Sequence, residues 1–309
     1  MQMRMSFSIL QRPVRLLALI PLLAVFAGCG AAATADGRVD VVATTPVVAD
    51  LARNVGGSHV HVVQILAPNA DPHEYELRPH DVAAVAEADL VLRSGGDVDD
   101  WLGEAIDGSG TTAPVVDLGA GLPLRGDDPH WWQDPRNAIT ASAEIERALE
   151  RVDRARTAAY GRNAAAYEDE LRRLDRGVRA CVDKVPPAQR KLVTTHDAFG
   201  YYAHRYGIEI IGTVIPSLST AGQPSAGDTA NLIATIRRTG VRAIFAESSV
   251  NPKVEEAIAQ ETGAKVGTAL WADTLGPPGS DGATYVQSIE SNTKALVDGF
   301  TGGAVRCAF

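Results

Sequence analysis

Short apolar runs alternate with helical segments along most of this chain, and this alternation limits the possible folds more than any other feature. Each helix would carry the chain back to the start of the next strand, so successive strands pair in parallel. We therefore predict an α/β fold whose parallel sheets are covered by helices on both faces. The predicted strands are 39–44, 60–66, 89–93 and 113–118 in the first half, and 191–195, 208–215, 241–246 and 265–270 in the second.

A proline-free stretch separates the two halves. Over residues 138–183 the apolar side chains recur every three or four positions, which predicts one long helix with Gly161 as its weakest point. Such a helix would extend roughly 60 Å, more than packing within one domain needs, so it would join two lobes. We divide the chain into an N-terminal (β/α) lobe over 39–136, a linking helix over 137–184 and a C-terminal (β/α) lobe over 185–309.

The first 38 residues have a different composition from the rest. Three arginines precede the apolar run 16–27, which ends at Gly28-Cys29-Gly30. This order is typical of a secretory signal over residues 1–28, with lipid attached to Cys29 after cleavage, followed by a small polar tether over 29–38. Phe26 stands where bacterial lipoproteins usually carry an aliphatic residue, so a plain cleaved signal and an uncleaved anchor stay open as alternatives.

The charge balance excludes one class of partner. The chain has 29 basic and 38 acidic residues, a net charge of −9, and no block of Lys and Arg. A nucleic acid is therefore not the expected partner. An acidic exported protein is compatible with cation handling, although charge alone decides nothing.

A histidine lies in a rigid turn after the second predicted strand. In the segment 69–76 Pro72 precedes His73, and together with Pro68 it ends strand pairing and restricts the backbone. A histidine held in this way is suited to metal binding. Taken alone, a histidine beside a proline is more often an ordinary surface residue, and only its combination with distant residues favours a ligand role.

Four side chains, His73, His130, His196 and Asp273, share one position in the predicted fold. Each follows a strand or lies in a loop leaving a sheet, which is the edge where open parallel sheets bind ligands. They are far apart in sequence, so a local zinc finger is excluded and the site would form between lobes. Three imidazoles and one carboxylate suit Zn²⁺ best, whereas Ca²⁺ and Mg²⁺ would need more oxygen ligands.

Three further residues carry open alternatives. Glu247 lies at a strand end, where it would accept a hydrogen bond from a ligand imidazole or else be an exposed acid before a helix. Cys181 and Cys307 are the two thiols that remain if Cys29 is acylated. In an oxidising compartment a Cys181–Cys307 disulfide is the favoured interpretation, with two free buried cysteines as the alternative.

The motifs around these residues resemble the zinc- and manganese-binding substrate-binding proteins of ABC importers. The resemblance covers nearly all of the chain after the signal, and the ordered set is far more specific than any one piece. The motifs are Asp71-Pro72-His73-Glu74-Tyr75-Glu76, Asp128-Pro129-His130-Trp131-Trp132-Gln133-Asp134-Pro135, Thr195-His196-Asp197-Ala198-Phe199 and Asp273-Thr274-Leu275.

The resemblance implies two (β/α) lobes joined by one backbone helix, with the metal buried between them. In that family a histidine as the third ligand is typical of zinc sites and a glutamate of manganese sites, so His196 favours zinc over Mn²⁺. The loop 119–128 lacks the His/Asp-rich run of many zinc members, which weakens the case for metal collection by that loop. The fourth ligand varies in the family, so water or Glu74 stays open as an alternative to Asp273.

We expect capture of Zn²⁺ outside the cytoplasm and its delivery to an ABC transporter permease, by a monomer anchored to the membrane through Cys29 or free in the periplasm. Four protein ligands leave no open position for an activated water, so we expect no enzymatic activity. A secreted zinc hydrolase with Asp273 as base is one alternative, although no H-E-x-x-H motif supports it. A metal-buffering surface adhesin without a transporter is another.

Overall fold

The computed structural model describes residues 2–3, 37–123 and 125–309. The lipidation site predicted at Cys29, and the predicted signal apart from residues 2–3, lie outside the described residues. Within the described part of the chain, no helix combines the length and the apolar character that crossing a bilayer requires.

The first half forms a four-stranded parallel sheet in the order β2-β1-β3-β4. Its strands are nearly continuous apolar runs because helices cover both faces of the sheet. Helix α1 begins at Pro46, where Thr45 accepts a hydrogen bond from the Val48 amide and caps the first turn. The elements are β1 (Val39–Ala43), α1 (Pro46–Gly56), β2 (Val60–Gln64), α2 (Pro79–Glu87), β3 (Leu90–Arg93), α3 (Leu102–Ser109) and β4 (Val115–Asp117).

The predicted single helix over 138–183 is wrong. The structure has two helices, α4 (Pro135–Val152) and α5 (Thr157–Val182), joined by a short turn and packed against each other. Arg136, at the start of α4, lies 3.6 Å from Asp175, near the end of α5, so the two helices run antiparallel. The segment 137–184 is therefore a helical hairpin, and α5 alone extends roughly 40 Å.

Asp153 accounts for the break between α4 and α5. Its backbone leaves the helical region (φ −138°, ψ 78°), while its carboxylate accepts hydrogen bonds from Arg156 and Tyr160, both at 2.8 Å. A short acidic side chain that bonds locally competes with helix continuation. Gly161, the predicted weak point, lies inside α5.

The second half forms another parallel sheet, in which β5 pairs with β6 and β7 with β8. Thr194 and Phe245 form a parallel bridge that places β5 beside β7. The last two strands pair with each other over only two residues each, which is shorter than predicted. Beyond these residues, one isolated bridge between Glu247 and Leu270 continues their pairing. The elements are β5 (Lys191–Thr194), α6 (Gly200–Tyr206), β6 (Glu209–Thr213), α7 (Ala226–Thr239), β7 (Ala243–Ile244), α8 (Lys253–Thr262), β8 (Lys265–Val266) and α9 (Tyr285–Thr301).

One apolar core runs through both halves of the molecule. It joins side chains of α1 and the first sheet to α4, α5 and α9, and reaches Phe245 in the second half. Smaller apolar clusters lie on the opposite face of each sheet, under α2 and α3 in the first half and under α7 and α8 in the second. Both sheets are thus buried on two sides, as the sequence predicts.

A buried carboxylate links α1 to the start of α9. Asp50 accepts a hydrogen bond from the Tyr285 amide at 3.0 Å and is 9% exposed. Burial raises the pKa of Asp50 to about 6, although the Tyr285 amide acts in the opposite direction. The folded protein therefore holds this proton more tightly than the unfolded chain, whose Asp has a pKa of about 3.9. The contribution of Asp50 to stability is full below about pH 4 and is lost as the pH rises through about 6.

The Asp50→Asn substitution replaces the ionisable carboxyl group with a neutral amide. We expect the stability of Asp50→Asn relative to the wild type to increase by about 2–3 kcal/mol between about pH 4 and about pH 8, since two pKa units correspond to about 3 kcal/mol. Urea unfolding of both proteins with chelator present measures the difference in unfolding free energy. The contributions of groups that titrate in both proteins cancel in this difference. A stability difference that is constant with pH would contradict the buried, ionising Asp50.

Candidate metal site

Four side chains from four loops meet at one point. His73 lies in a short turn after β2, His130 in the loop between β4 and α4, His196 just after β5, and Asp273 after β8. Their ligand atoms all lie within 4.8 Å of one another. The structure therefore brings together all four residues that the sequence singles out as metal ligands.

Asp273 is at the centre of this group. Its carboxylate oxygens lie 3.1 Å from Nε2 of His196, 3.4 Å from Nε2 of His130 and 3.5 Å from Nε2 of His73. The Nε2 atoms of His130 and His196 are 3.3 Å apart. Ligands of a tetrahedral zinc ion with bonds of about 2.0–2.1 Å would be separated by about 3.4 Å, so these distances suit one small cation.

Carboxylates fix the orientation of two of the imidazoles. Nδ1 of His130 lies 2.8 Å from Asp128, and Nδ1 of His196 lies 2.8 Å and 2.9 Å from the two oxygens of Glu247. Since a carboxylate accepts the hydrogen bond, Nδ1 carries the proton in each ring and Nε2 is left to bind a ligand. Glu247 is 2% exposed, so it is not an exposed acid at a helix entry.

His73 is held mainly through its backbone. Its amide donates to Asp71 at 3.0 Å, and the other oxygen of Asp71 accepts a hydrogen bond from Thr220 at 2.6 Å. Earlier in the same turn, the Asn69 amide donates to Thr274, next to Asp273 in sequence. The turn that carries His73 is therefore joined to two loops of the second half.

The charges of the four groups depend on one another. Burial opposes ionisation of Asp273, but the neighbouring His196 and His130 outweigh it and hold the pKa of Asp273 well below its usual range. Burial opposes protonation of His196, yet Asp273 and Glu247 raise the pKa of His196 well above its ordinary value. Burial also opposes protonation of His73, but Asp273 favours it, and the pKa of His73 is raised. A cation must displace these protons, so binding would release them.

Two buried atoms of the group lack hydrogen-bond partners. They are Nε2 of His73 and Oδ1 of Asp273, and both point into the group of four. Buried polar atoms are normally paired, so unpaired atoms that converge in this way are typical of a ligand-binding site. Imidazole nitrogens and a carboxylate are ligands of divalent transition metals, so the residues present fit such an ion.

Other candidates lie outside the group. Glu74, the alternative fourth ligand, is exposed and lines a separate surface depression with Arg78. His61 pairs with Asp40 on the surface, and His80 is largely exposed beside Asp81.

Asp128 contacts His130, a role that was not predicted from the sequence. Asp128 and Asp71 each stand two residues before a candidate ligand histidine, and each accepts a hydrogen bond from the backbone amide of that histidine at 3.0 Å. The repeated Asp-Pro-His order is therefore a signal that the sequence contains. It describes a turn in which an aspartate bonds the backbone two residues on.

Comparison with known proteins identifies the family. Residues 41–299 match the family model described as zinc-uptake complex component A, periplasmic (ZnuA). The chain belongs to this family. The match covers both sheets apart from the first two residues of β1, together with α4, α5 and all four residues of the candidate metal site, so the resemblance inferred from the motifs is confirmed.

Curated relatives within this family carry the names of different metals. The manganese-binding lipoprotein MntA of Bacillus subtilis is 32% identical, over 87% of this chain and 94% of the relative. The zinc-binding protein TroA of Treponema pallidum is 31% identical, over 86% and 90%. The iron-binding protein YfeA of Yersinia pestis is 30% identical, over 85% and 86%. Their names therefore do not select one metal.

Solved structures agree with the fold. The periplasmic zinc-binding protein TroA from Treponema pallidum has a TM-score of 0.80 at 29% identity and covers 85% of this chain and 99% of its own. A manganese-bound periplasmic metal-binding protein from Candidatus Liberibacter asiaticus, at 22% identity, has a TM-score of 0.78. The α/β fold with parallel sheets and a long helix is confirmed. The ZnuA family consists of substrate-binding transport components, so the chain is not an enzyme.

Proposed function

We propose that this protein binds a divalent transition metal outside the cytoplasm and delivers it to the permease of an ABC transporter. The observation that carries the proposal is the convergence of His73, His130, His196 and Asp273 on one buried point. Membership of the ZnuA family and relatives named as metal-binding lipoproteins support the transport role. We further propose attachment to the membrane through a lipid on Cys29, and a monomeric state.

The ligand set favours zinc as cargo. Three neutral imidazoles and one carboxylate match the nitrogen-rich, four-coordinate sites that zinc prefers. Manganese prefers oxygen ligands from carboxylates, carbonyls and water. Zn²⁺ also binds a given set of such ligands more tightly than Mn²⁺ in the general order of divalent metals. His196, held by Glu247, supplies the third imidazole.

A secreted zinc hydrolase is not favoured. Such an enzyme would use the three histidines as ligands and Asp273 as a separate base. Asp273 instead lies within 3.5 Å of Nε2 of each histidine, inside the ligand group. A metal-buffering adhesin would lack a transporter, and the family to which the chain belongs argues against it.

Competition between metals tests the proposal. With equal zinc and manganese offered to the purified protein, we expect one zinc ion bound per chain and little manganese, measured by native mass spectrometry. A strain without the gene should grow poorly in chelated medium and recover with added zinc. Preferred loading with manganese would contradict the zinc assignment, and normal growth of the deletion strain in chelated medium would contradict the transport role.

A further inference from the structure

Asp128 stands between a proposed ligand and the second half of the molecule. One oxygen, Oδ1, accepts hydrogen bonds from both the backbone amide (3.0 Å) and Nδ1 (2.8 Å) of His130. The backbone carbonyl of Asp128 also accepts a hydrogen bond from Tyr201 of α6 at 3.3 Å. The segment that orients His130 is therefore docked on α6.

The other oxygen of Asp128 faces the first residue of α6. A Cβ atom added to Gly200 would lie 2.5 Å from Oδ2 of Asp128, closer than real Cβ contacts. No positive φ requires glycine at this position. The close approach of Asp128 is thus the feature of the structure that accounts for glycine here.

We infer that Asp128 is the positioning residue of His130, and that Gly200 leaves the space this carboxylate needs. The inference rests on the proposed function, since it assigns His130 to the metal. A side chain at position 200 would displace Asp128, and the loss of its hydrogen bond would free the His130 ring to turn away from the metal. Metal affinity then depends on a residue of α6 that touches no ligand.

A double-mutant cycle on the full chain tests this inference with zinc as the probe. We expect Gly200→Ala and Asp128→Ala each to lower zinc affinity by about 10–100-fold, the usual effect of losing the group that orients a ligand histidine. In the double variant the added methyl group has no carboxylate to displace, so its affinity should equal that of Asp128→Ala. Gly103→Ala, on α3 with no atom within 4 Å of the added Cβ, is the matched control and should bind as the wild type does.

A spectroscopic measurement separates positioning from general damage. In the zinc-loaded protein, NMR should detect hydrogen-bonded Nδ1 protons for both His130 and His196. Gly200→Ala should weaken the His130 signal and leave that of His196, which Glu247 holds. The inference would be overturned if Gly200→Ala lowered zinc affinity equally with and without Asp128, or if Gly200→Ala left the affinity unchanged. In either case, zinc binding by the wild type would still support the proposed function. A wild-type chain that binds no metal would instead overturn the proposed function.

Discussion

Replacing His196 with alanine is expected to lower zinc affinity by more than 100-fold. His196 is fully buried, its Nε2 lies 3.1 Å from Asp273, and its loss removes one of three imidazoles. Losing a group that only orients a ligand typically costs about 10–100-fold, so losing the ligand itself should cost more. Asp273 would also lose a neighbour that balances its charge in the buried site. Competition titration against a chromophoric chelator measures the change.

Two variants serve as controls for this result. His80→Ala removes a largely exposed histidine outside the group and should leave affinity unchanged. Glu247→Gln keeps the shape of the side chain but weakens its acceptance from Nδ1 of His196, so its affinity should fall between those of the wild type and His196→Ala. Equal zinc affinity in His196→Ala and His80→Ala would exclude His196 as a ligand.

The convergence of the four candidate ligands could be predicted in part, because their placement at sheet edges follows from topology. Within each parallel sheet the carboxyl ends of the strands share one edge, so the loops after β2 and β4 lie at one edge and those after β5 and β8 at another, even when they are far apart in sequence. Residue type then limits the chemistry to a transition metal. The same reasoning could not choose between Glu74 and Asp273, because that choice depends on which way the turn after Pro72 directs its side chains.

The break between α4 and α5 could not be predicted from periodicity. Apolar spacing of three and four continues on both sides of residues 153–156, since each helix buries its own face in the same core. The break depends on side-chain hydrogen bonds of Asp153 to Arg156 and Tyr160. An aspartate inside a helical pattern carries this possibility, but the pattern alone does not show which aspartate uses it.

The role of Asp128 shows what a repeated motif adds. In both Asp-Pro-His segments the aspartate accepts the backbone amide of the histidine, but only Asp128 also bonds the imidazole, while Asp71 bonds Thr220 instead. The sequence specifies the turn, and tertiary packing decides what the second interaction of each carboxylate will be. The orienting groups of a metal site are therefore harder to predict than its ligands.

Breaking the Cys181–Cys307 disulfide should destabilise the protein by about 2–5 kcal/mol. The structure joins these residues, as expected from the sequence, with Cα atoms 5.4 Å apart and positions 126 apart in sequence. Closing so long a loop restricts the unfolded chain, which the chain-entropy model values at about 5 kcal/mol before any native strain. The bond fastens the tail after α9 to the last turn of α5, where Cys181 is buried.

Cys307→Ser is the sharper variant, because Cys307 is only partly buried and its replacement leaves the core intact. Urea unfolding of this variant and of the wild type, both with chelator, measures the free energy of unfolding. Wild-type protein treated with reductant should match Cys307→Ser, and reductant should not change Cys307→Ser further, since the same bond is absent in both. Because neither cysteine belongs to the group of four candidate ligands, zinc affinity of the folded variant should be preserved. Equal unfolding free energies for oxidised wild type and Cys307→Ser would show that this cross-link does not stabilise the fold.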